Sequence, residues 1–133
     1  MIKKPISYTD YNGTTRNEDF YFHISQAEMA EMEMSKTGGM TELIKRIVST
    51  QDMPELMKLF KEFILKAYGV KSLDGKMFVK IDKDGHRLAD DFVQTEAYNQ
   101  LFMELIKDPT KAANFFNEII ESGKPQQATP NAI

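Results

Sequence analysis

Even-numbered positions at the start of the chain have the apolar side chains, which is the pattern of strands with one buried face. Six residues follow it: Ile2, Ile6, Tyr8, Phe20, Phe22 and Ile24. Asn12-Gly13, between the two groups, is a strong hairpin signal. A two-residue turn there would put the two apolar groups on opposite faces. We therefore predict a bulged hairpin with a three-residue loop over 11–13 and a left-handed Gly13.

From Ser25 onward the apolar spacing changes to the helical period. Ser25 and Glu28 predict the capping box of a first helix. We expect this helix to end at Lys36-Thr37-Gly38-Gly39, because glycine accepts the left-handed conformation at a helix C-terminus. A second helix is indicated by a stripe of Met40, Leu43, Ile44, Ile47 and Val48.

The third predicted helix, from Asp52 to Tyr68, has the longest apolar stripe and is expected to be the central one. Pro54 lies in its first turn, a position that suits proline. The stripe consists of Leu56, Leu59, Phe60, Phe63, Ile64 and Ala67.

The rest of the chain predicts a loop region and three helices. Residues 69–86 contain three glycines and are typical of a loop with one short strand, Met77 to Ile81. A short helix follows from about Arg87 to Val93. Thr95 caps the next helix, and Asp108-Pro109 starts the last, which ends at Gly123. Their apolar positions are Tyr98, Leu101, Phe102, Leu105, Ile106, Ala112, Ala113, Phe116, Ile119 and Ile120.

These elements predict an α+β fold in one domain over 1–123. A β-hairpin (1–24) precedes a compact set of five or six helices (25–123). Residues 124–133, KPQQATPNAI, are polar and contain proline, so we expect a disordered tail.

Composition excludes several classes of function. The net charge of −3 argues against general nucleic-acid binding, and the absence of cysteine excludes thiolate metal sites and cysteine nucleophiles. Neither a signal peptide nor a run of about 20 apolar residues occurs, so we expect a soluble protein of the cytoplasm without membrane contact.

Residues with catalytic or metal-binding chemistry are few. His86 lies near Asp82 and Asp84, a set that could bind a divalent metal, and His23 lies in the second strand. A calcium-binding loop that starts at Asp82 would need glycine at its sixth position and glutamate at its twelfth. The sequence has Arg87 and Val93 there, so the pattern is not met. We therefore predict no catalytic residue, metal or cofactor.

Methionines are concentrated in the first predicted helix. At 100° per residue, Ala27, Ala30 and Met34 share one face, and Met29 and Met32 lie almost opposite. One apolar stripe suffices to dock a helix on its own domain, and we expect the alanine face to do so. The second stripe is either covered by the domain itself or binds a partner, since methionine adapts to varied apolar surfaces. The candidate partner-binding residues are Met29, Met32, Glu28 and Met40.

Three stretches in this order resemble the tail assembly chaperones of long-tailed (siphovirus-type) phages and prophages of Gram-positive bacteria. They are EDFYFHISQAEMAEMEMSKTGGM, FKEFILKAYGVKSLDGKMFVK and FVQTEAYNQLFMELIKD. The resemblance covers roughly residues 18–120. The first strand and the tail fall outside it.

The resemblance implies a non-enzymatic late protein of the host cytoplasm. It would bind the tape-measure protein, keep it soluble, help the major tail-tube protein polymerise, and leave before the virion is complete. Self-association is also expected.

Two other hypotheses remain. One is a structural tail or head–tail connector protein that stays in the virion and joins its neighbours through edge strands. The other is a small metal-dependent enzyme built on His86, Asp82 and Asp84, with His23 as a further ligand.

Overall fold

The computed structural model describes residues 1–34 and 39–123. Within these residues the strands are β1 (Ile2–Thr9), β2 (Thr15–Phe22), β3 (Tyr68–Lys71) and β4 (Phe78–Val79). The helices are α1 (Gln26–Glu33), α2 (Gly39–Ser49), α3 (Met53–Ala67), α4 (Leu88–Phe92), α5 (Glu96–Lys107) and α6 (Pro109–Gly123). The predicted α+β class is confirmed.

The N-terminal hairpin has the predicted bulged loop. Ile2 pairs with Phe22 and Thr9 with Thr15, so even positions face even positions and the loop is 11–13. Gly13 has a φ of 83°, in the left-handed region that a side chain disfavours. The Asp10 carboxylate closes the loop by accepting hydrogen bonds from the backbone N–H groups of Asn12 and Thr14, each at 2.9 Å.

The sheet extends further than the sequence predicted. Its order is β1-β2-β3-β4, and all neighbours are antiparallel. The prediction of loop at residues 69–71 is wrong, because the chain leaves α3 directly into β3. Gly69 makes this possible: a Cβ there would lie 2.4 Å from the Phe78 ring and 2.7 Å from the Val79 carbonyl oxygen. The predicted strand in the second half of this region is present but shorter, at Phe78–Val79.

The predicted helix starts are confirmed where the caps are local. Ser25 and Glu28 form the reciprocal capping box of α1. The side chains of Asp52 and Thr95 accept hydrogen bonds at the N-termini of α3 and α5. The predicted end of the first helix over 36–38 and the predicted tail over 124–133 lie outside the described residues.

The core lies between the sheet and helices α2, α3, α5 and α6. All six predicted stripe residues of α3 are buried, as are all five of α6. The α2 stripe is narrower than predicted, because Val48 is 62% exposed. In the centre the Phe63 and Phe116 rings stack with centroids 4.1 Å apart, and Phe60 meets Phe116 edge-on at 5.6 Å.

Truncation of the central aromatics should therefore destabilise the fold strongly. Phe60→Ala and Phe63→Ala should each lower the free energy of unfolding by about 3–5 kcal/mol, because both side chains are fully buried. Met57→Ala, a change on the exposed face of the same helix, is the matched control and should cost much less. Chemical denaturation measures all three, and a Phe63→Ala protein as stable as the parent would contradict this packing.

A methyl group at position 69 should also be costly. Gly69→Ala should lower the free energy of unfolding by about 1–3 kcal/mol, because the new Cβ overlaps the Phe78 ring and a backbone oxygen. Val70→Ala, at the half-exposed next position of the same strand, should change it by less than about 0.5 kcal/mol. Equal melting temperatures for the two variants would disprove the close contact.

Candidate partner-binding groove

Helix α1 docks on the domain through the face opposite to the one predicted. Met29 and Met32 are partly buried against the core, whereas Ala27, Ala30 and Met34 are exposed. The expectation that the alanine face docks is therefore wrong. Docking favours the long apolar side chains, since alanines bury little surface.

Glu28 fixes the rotation of α1. Its carboxylate accepts two hydrogen bonds from Lys80 Nζ, at 2.8 and 2.7 Å, and a third from the Ser25 backbone N–H. Lys80 Nζ also donates to the Lys66 carbonyl at the end of α3, at 2.7 Å. This carbonyl is one of those that a helix C-terminus leaves without an internal partner. The Lys80 ammonium thus connects the start of α1 to the end of α3.

Burial and attraction act in opposite directions at this ion pair. Burial alone would raise the pKa of Glu28, but the hydrogen bonds from Lys80 and Ser25 outweigh it and lower that pKa. Burial lowers the pKa of Lys80 despite the attraction of Glu28. Desolvation is the largest single cause for both groups, and the favourable interactions outweigh it only at Glu28, so desolvation offsets much of the attraction. The pair therefore positions α1 more than it stabilises the fold.

Two adjoining concavities form a groove between α1, α2 and α3, which we call the α1–α3 groove. The first, of about 380 Å³, has Met32 and Leu43 among its lining residues. The second, of about 290 Å³, is lined by apolar Leu65 and Ile81 and continues toward α4. Glu62 and Lys66 line both, so the two concavities form one continuous surface.

Charges of both signs surround the apolar floor. The lining includes five basic side chains and three carboxylates: Arg46, Lys58, Lys66, Lys80, Arg87, Glu28, Glu31 and Glu62. Three of the basic groups already pair with carboxylates, Lys80 with Glu28, Arg46 with Glu55 and Arg87 with Asp90. Together with Glu55 and Asp90, these charges leave the rim of the groove close to neutral.

The predicted partner-binding residues separate in the structure. Met32 and Glu28 line the groove, whereas Met29 turns toward the end of α6, where its Cε lies 3.3 Å from the position of a Cβ at Gly123. Met40 lies in α2, and its side chain is outside the described part of the chain. Sequence reasoning missed Leu43, Leu65 and Ile81 as groove residues, because three different elements bring them together.

The histidines belong to ordinary structural settings. His23 packs edge-on against Phe78 with ring centroids 5.5 Å apart, rather than pointing outward as the strand pattern suggests. Burial is the main cause that lowers the pKa of His23, and its Nδ1 has no hydrogen-bond partner among the described residues.

Asp82, Asp84 and His86 have ligand atoms within 4.8 Å of one another. The Asp82 carboxylate accepts hydrogen bonds from the backbone N–H groups of Asp84 and His86, each at 2.9 Å. The turn has the same geometry as the hairpin loop that the Asp10 carboxylate closes. In both turns the carboxylate accepts from the N–H groups two and four residues later, and a glycine, Gly85 or Gly13, has a φ of 83°. The turn accounts for the cluster without a ligand.

The ion pair predicts a pH-dependent stability. Because the pKa of Glu28 is lowered, its contribution is complete above the ordinary value of 4.5 and is lost as the pH falls through the folded value. Lys80→Met should lower the free energy of unfolding by about 1 kcal/mol at pH 7, and the difference from the parent should shrink toward pH 3. Lys61→Met, at an exposed position of α3, should show no such narrowing. A pH-independent difference in melting temperature for Lys80→Met would contradict the assignment.

In the part of the chain that the structure describes, none of the helices combines the length and apolar character that a membrane span requires.

The comparisons with curated proteins and with solved structures give no match. A sequence model of one family, described as phage tail assembly chaperone, matches residues 1–128. That match extends over nearly the whole chain, including the hairpin, α1 and the groove. The chain therefore belongs to the phage tail assembly chaperone family.

Proposed function

We propose that this protein binds the phage tape-measure protein through the α1–α3 groove, keeps it soluble in the host cytoplasm and promotes assembly of the tail tube around it. It leaves before the virion is complete. Family membership supports the general role. The observation that supports the site is the apolar floor of the groove, open between three helices.

The groove has the form that suits an amphipathic helix. A helix binds in a groove by inserting apolar side chains at helical spacing, and the two adjoining concavities offer successive places for them. Met32 contributes a flexible side chain that adapts to different apolar partners. The near-neutral rim imposes little selection by charge, which suits a client with many different segments.

Weak contacts suffice for this role. Burying one apolar side chain contributes about 1.5–3 kcal/mol, and ordering of the contact offsets part of that gain. A long client offers many such sites, and copies that bind independently cover it when their concentration is high relative to the dissociation constant of one site. Release is then easy, because each copy dissociates separately.

We also propose that the protein acts without catalysis, metal or cofactor. The turn hydrogen bonds of Asp82 account for the arrangement of the Asp82, Asp84 and His86 cluster. A binding function needs only the groove.

Substitution of the groove floor tests the proposal. Ile81→Glu should leave the chain folded but move the co-expressed tape-measure protein into the insoluble fraction, because it places charge on the apolar floor. Met32→Glu should have the same effect on the client and should also lower the stability, because Met32 packs partly against the core. Ile81 is 62% exposed, so its substitution costs the core little. Val48→Glu, at a position also 62% exposed but outside the groove lining, is the matched control.

Soluble client is measured by co-purification, and folding by circular dichroism. The proposal fails if folded Ile81→Glu and Met32→Glu proteins protect the client as well as Val48→Glu does. It also fails if all three lose the client equally, since the groove would then have no special role.

One observation favours the alternative of a structural protein retained in the virion: among the described residues, no strand pairs with much of the outer edge of β2. Such edges join neighbouring subunits in assembled structures. Mass spectrometry of purified virions distinguishes the two functions, since only a structural protein stays in them at stoichiometric amounts.

A further inference from the structure

Strand β2 has an outer edge that β3 covers only at one end. The pairing with β3 consists of Tyr21 with Gly69 and Phe22 with Tyr68. Residues 15–20 pair with β1 alone among the described residues, and 15–19 are exposed. Beyond Gly69 the third strand turns to pair with β4, through Val70 and Val79.

The alternation of an antiparallel ladder identifies the groups on this edge. The backbone N–H of His23 donates to the Ala67 carbonyl, so odd positions of β2 direct their backbone groups away from β1. By the same alternation, the N–H and C=O groups of Thr15, Asn17 and Asp19 point outward. A strand lying beside β2 would find these groups ready to pair.

The other long edge of the sheet is blocked. In β1 the outward groups belong to odd positions, and Pro5 occupies one of them without an N–H. Proline is a common protection of edge strands. Strand β2 has no proline, so its edge remains competent for pairing.

We propose that the outer edge of β2 pairs with the same edge of a second copy of this chain, antiparallel and two-fold symmetric about Asn17. In this register Thr15 faces Asp19 of the second copy. Each of these facing pairs exchanges both of its backbone hydrogen bonds. One continuous sheet then crosses the dimer.

Charge complementarity selects the second copy and the register. With Asn17 at the centre, Arg16 faces Glu18 of the second copy, and the reverse pair is identical by symmetry. These are non-hydrogen-bonded positions, where side chains lie closest. A register shifted by two residues in either direction would place Arg16 against Arg16 or Glu18 against Glu18. The sequence of this edge is therefore self-complementary in one register.

The present contacts of these charges leave them accessible. Arg16 Nε lies 2.6 Å from an Asp10 carboxylate oxygen, and its Nη1 lies 3.6 Å from Glu18. Glu18 also accepts a hydrogen bond from the Tyr8 hydroxyl. Because a guanidinium has a fork of donors, Arg16 can keep Asp10 and still reach a carboxylate across the interface. A concavity of about 420 Å³ at the junction of β2 and β3 leaves space for the end of the β2 strand of the second copy.

A charge-exchange experiment tests the proposal. Arg16→Glu leaves two glutamates on the edge, and Glu18→Arg leaves two arginines, so each variant alone should dimerise at least about tenfold more weakly than the parent. An equimolar mixture should form a mixed dimer with parent-like affinity, because opposite charges then face each other. Analytical ultracentrifugation gives the affinities, and native mass spectrometry identifies the mixed species. A purely structural role in the hairpin cannot produce rescue by mixing.

A second variant removes a backbone donor rather than a charge. Asn17→Pro deletes an outward N–H and leaves the backbone bonds between β1 and β2 intact, although it removes the side-chain hydrogen bond that Asn17 accepts from the Ser7 hydroxyl. The chain should therefore fold and stay monomeric. Thermal melting checks the fold. The proposal is overturned if the parent is monomeric at all concentrations, if the mixture of charge variants shows no mixed dimer, or if a folded Asn17→Pro protein dimerises like the parent.

Discussion

Aromatic packing between the sheet and the helices determines how the elements of this protein are placed. Phe22 of β2 meets Phe115 of α6 edge-on at 5.5 Å, and neighbouring Phe116 contacts the two buried phenylalanines of α3. From Phe60 the contacts continue through α5 to Phe92 of α4. Phe92 returns to Phe22 at 6.0 Å, which closes the ring of contacts. Displacement of one helix would disturb aromatic contacts on both of its sides.

The groove is a consequence of that ring. Because the buried face of α3 is fixed by the aromatics, its opposite face is presented to solvent in a defined orientation beside α2. Helix α1 is attached differently, since none of its residues is fully buried and Lys80 connects it to α3. The groove therefore has a firm floor and one wall with little buried surface, the kind of element that opens most easily. For the proposed client binding, such a wall would adjust to segments of different shapes.

Local chemistry made much of the fold predictable from the sequence. The loop at Gly13, the caps at Ser25, Asp52 and Thr95, and the stripes of α3 and α6 each depend on residues close together in the chain. The orientation of α1 was not predictable, because it depends on Lys80, which lies 52 residues from Glu28. Strand β3 was missed for a similar reason: Tyr68 and Gly69 pair with a strand formed far earlier. Of the candidate site, the sequence indicated Met32 and Glu28 but gave no signal for Leu65 or Ile81.

Pro5 affects how copies of this protein can associate through the edges of the sheet. An exposed sheet edge is a template for fibres. With Pro5 on the outer edge of β1, growth from that side is blocked, and an edge-to-edge pair through β2 would use up the remaining long edge. Association of this kind closes on itself after two copies rather than continuing as a filament. If two copies pair as proposed, one imino acid in the first strand limits the size of the assembly that this protein forms with itself.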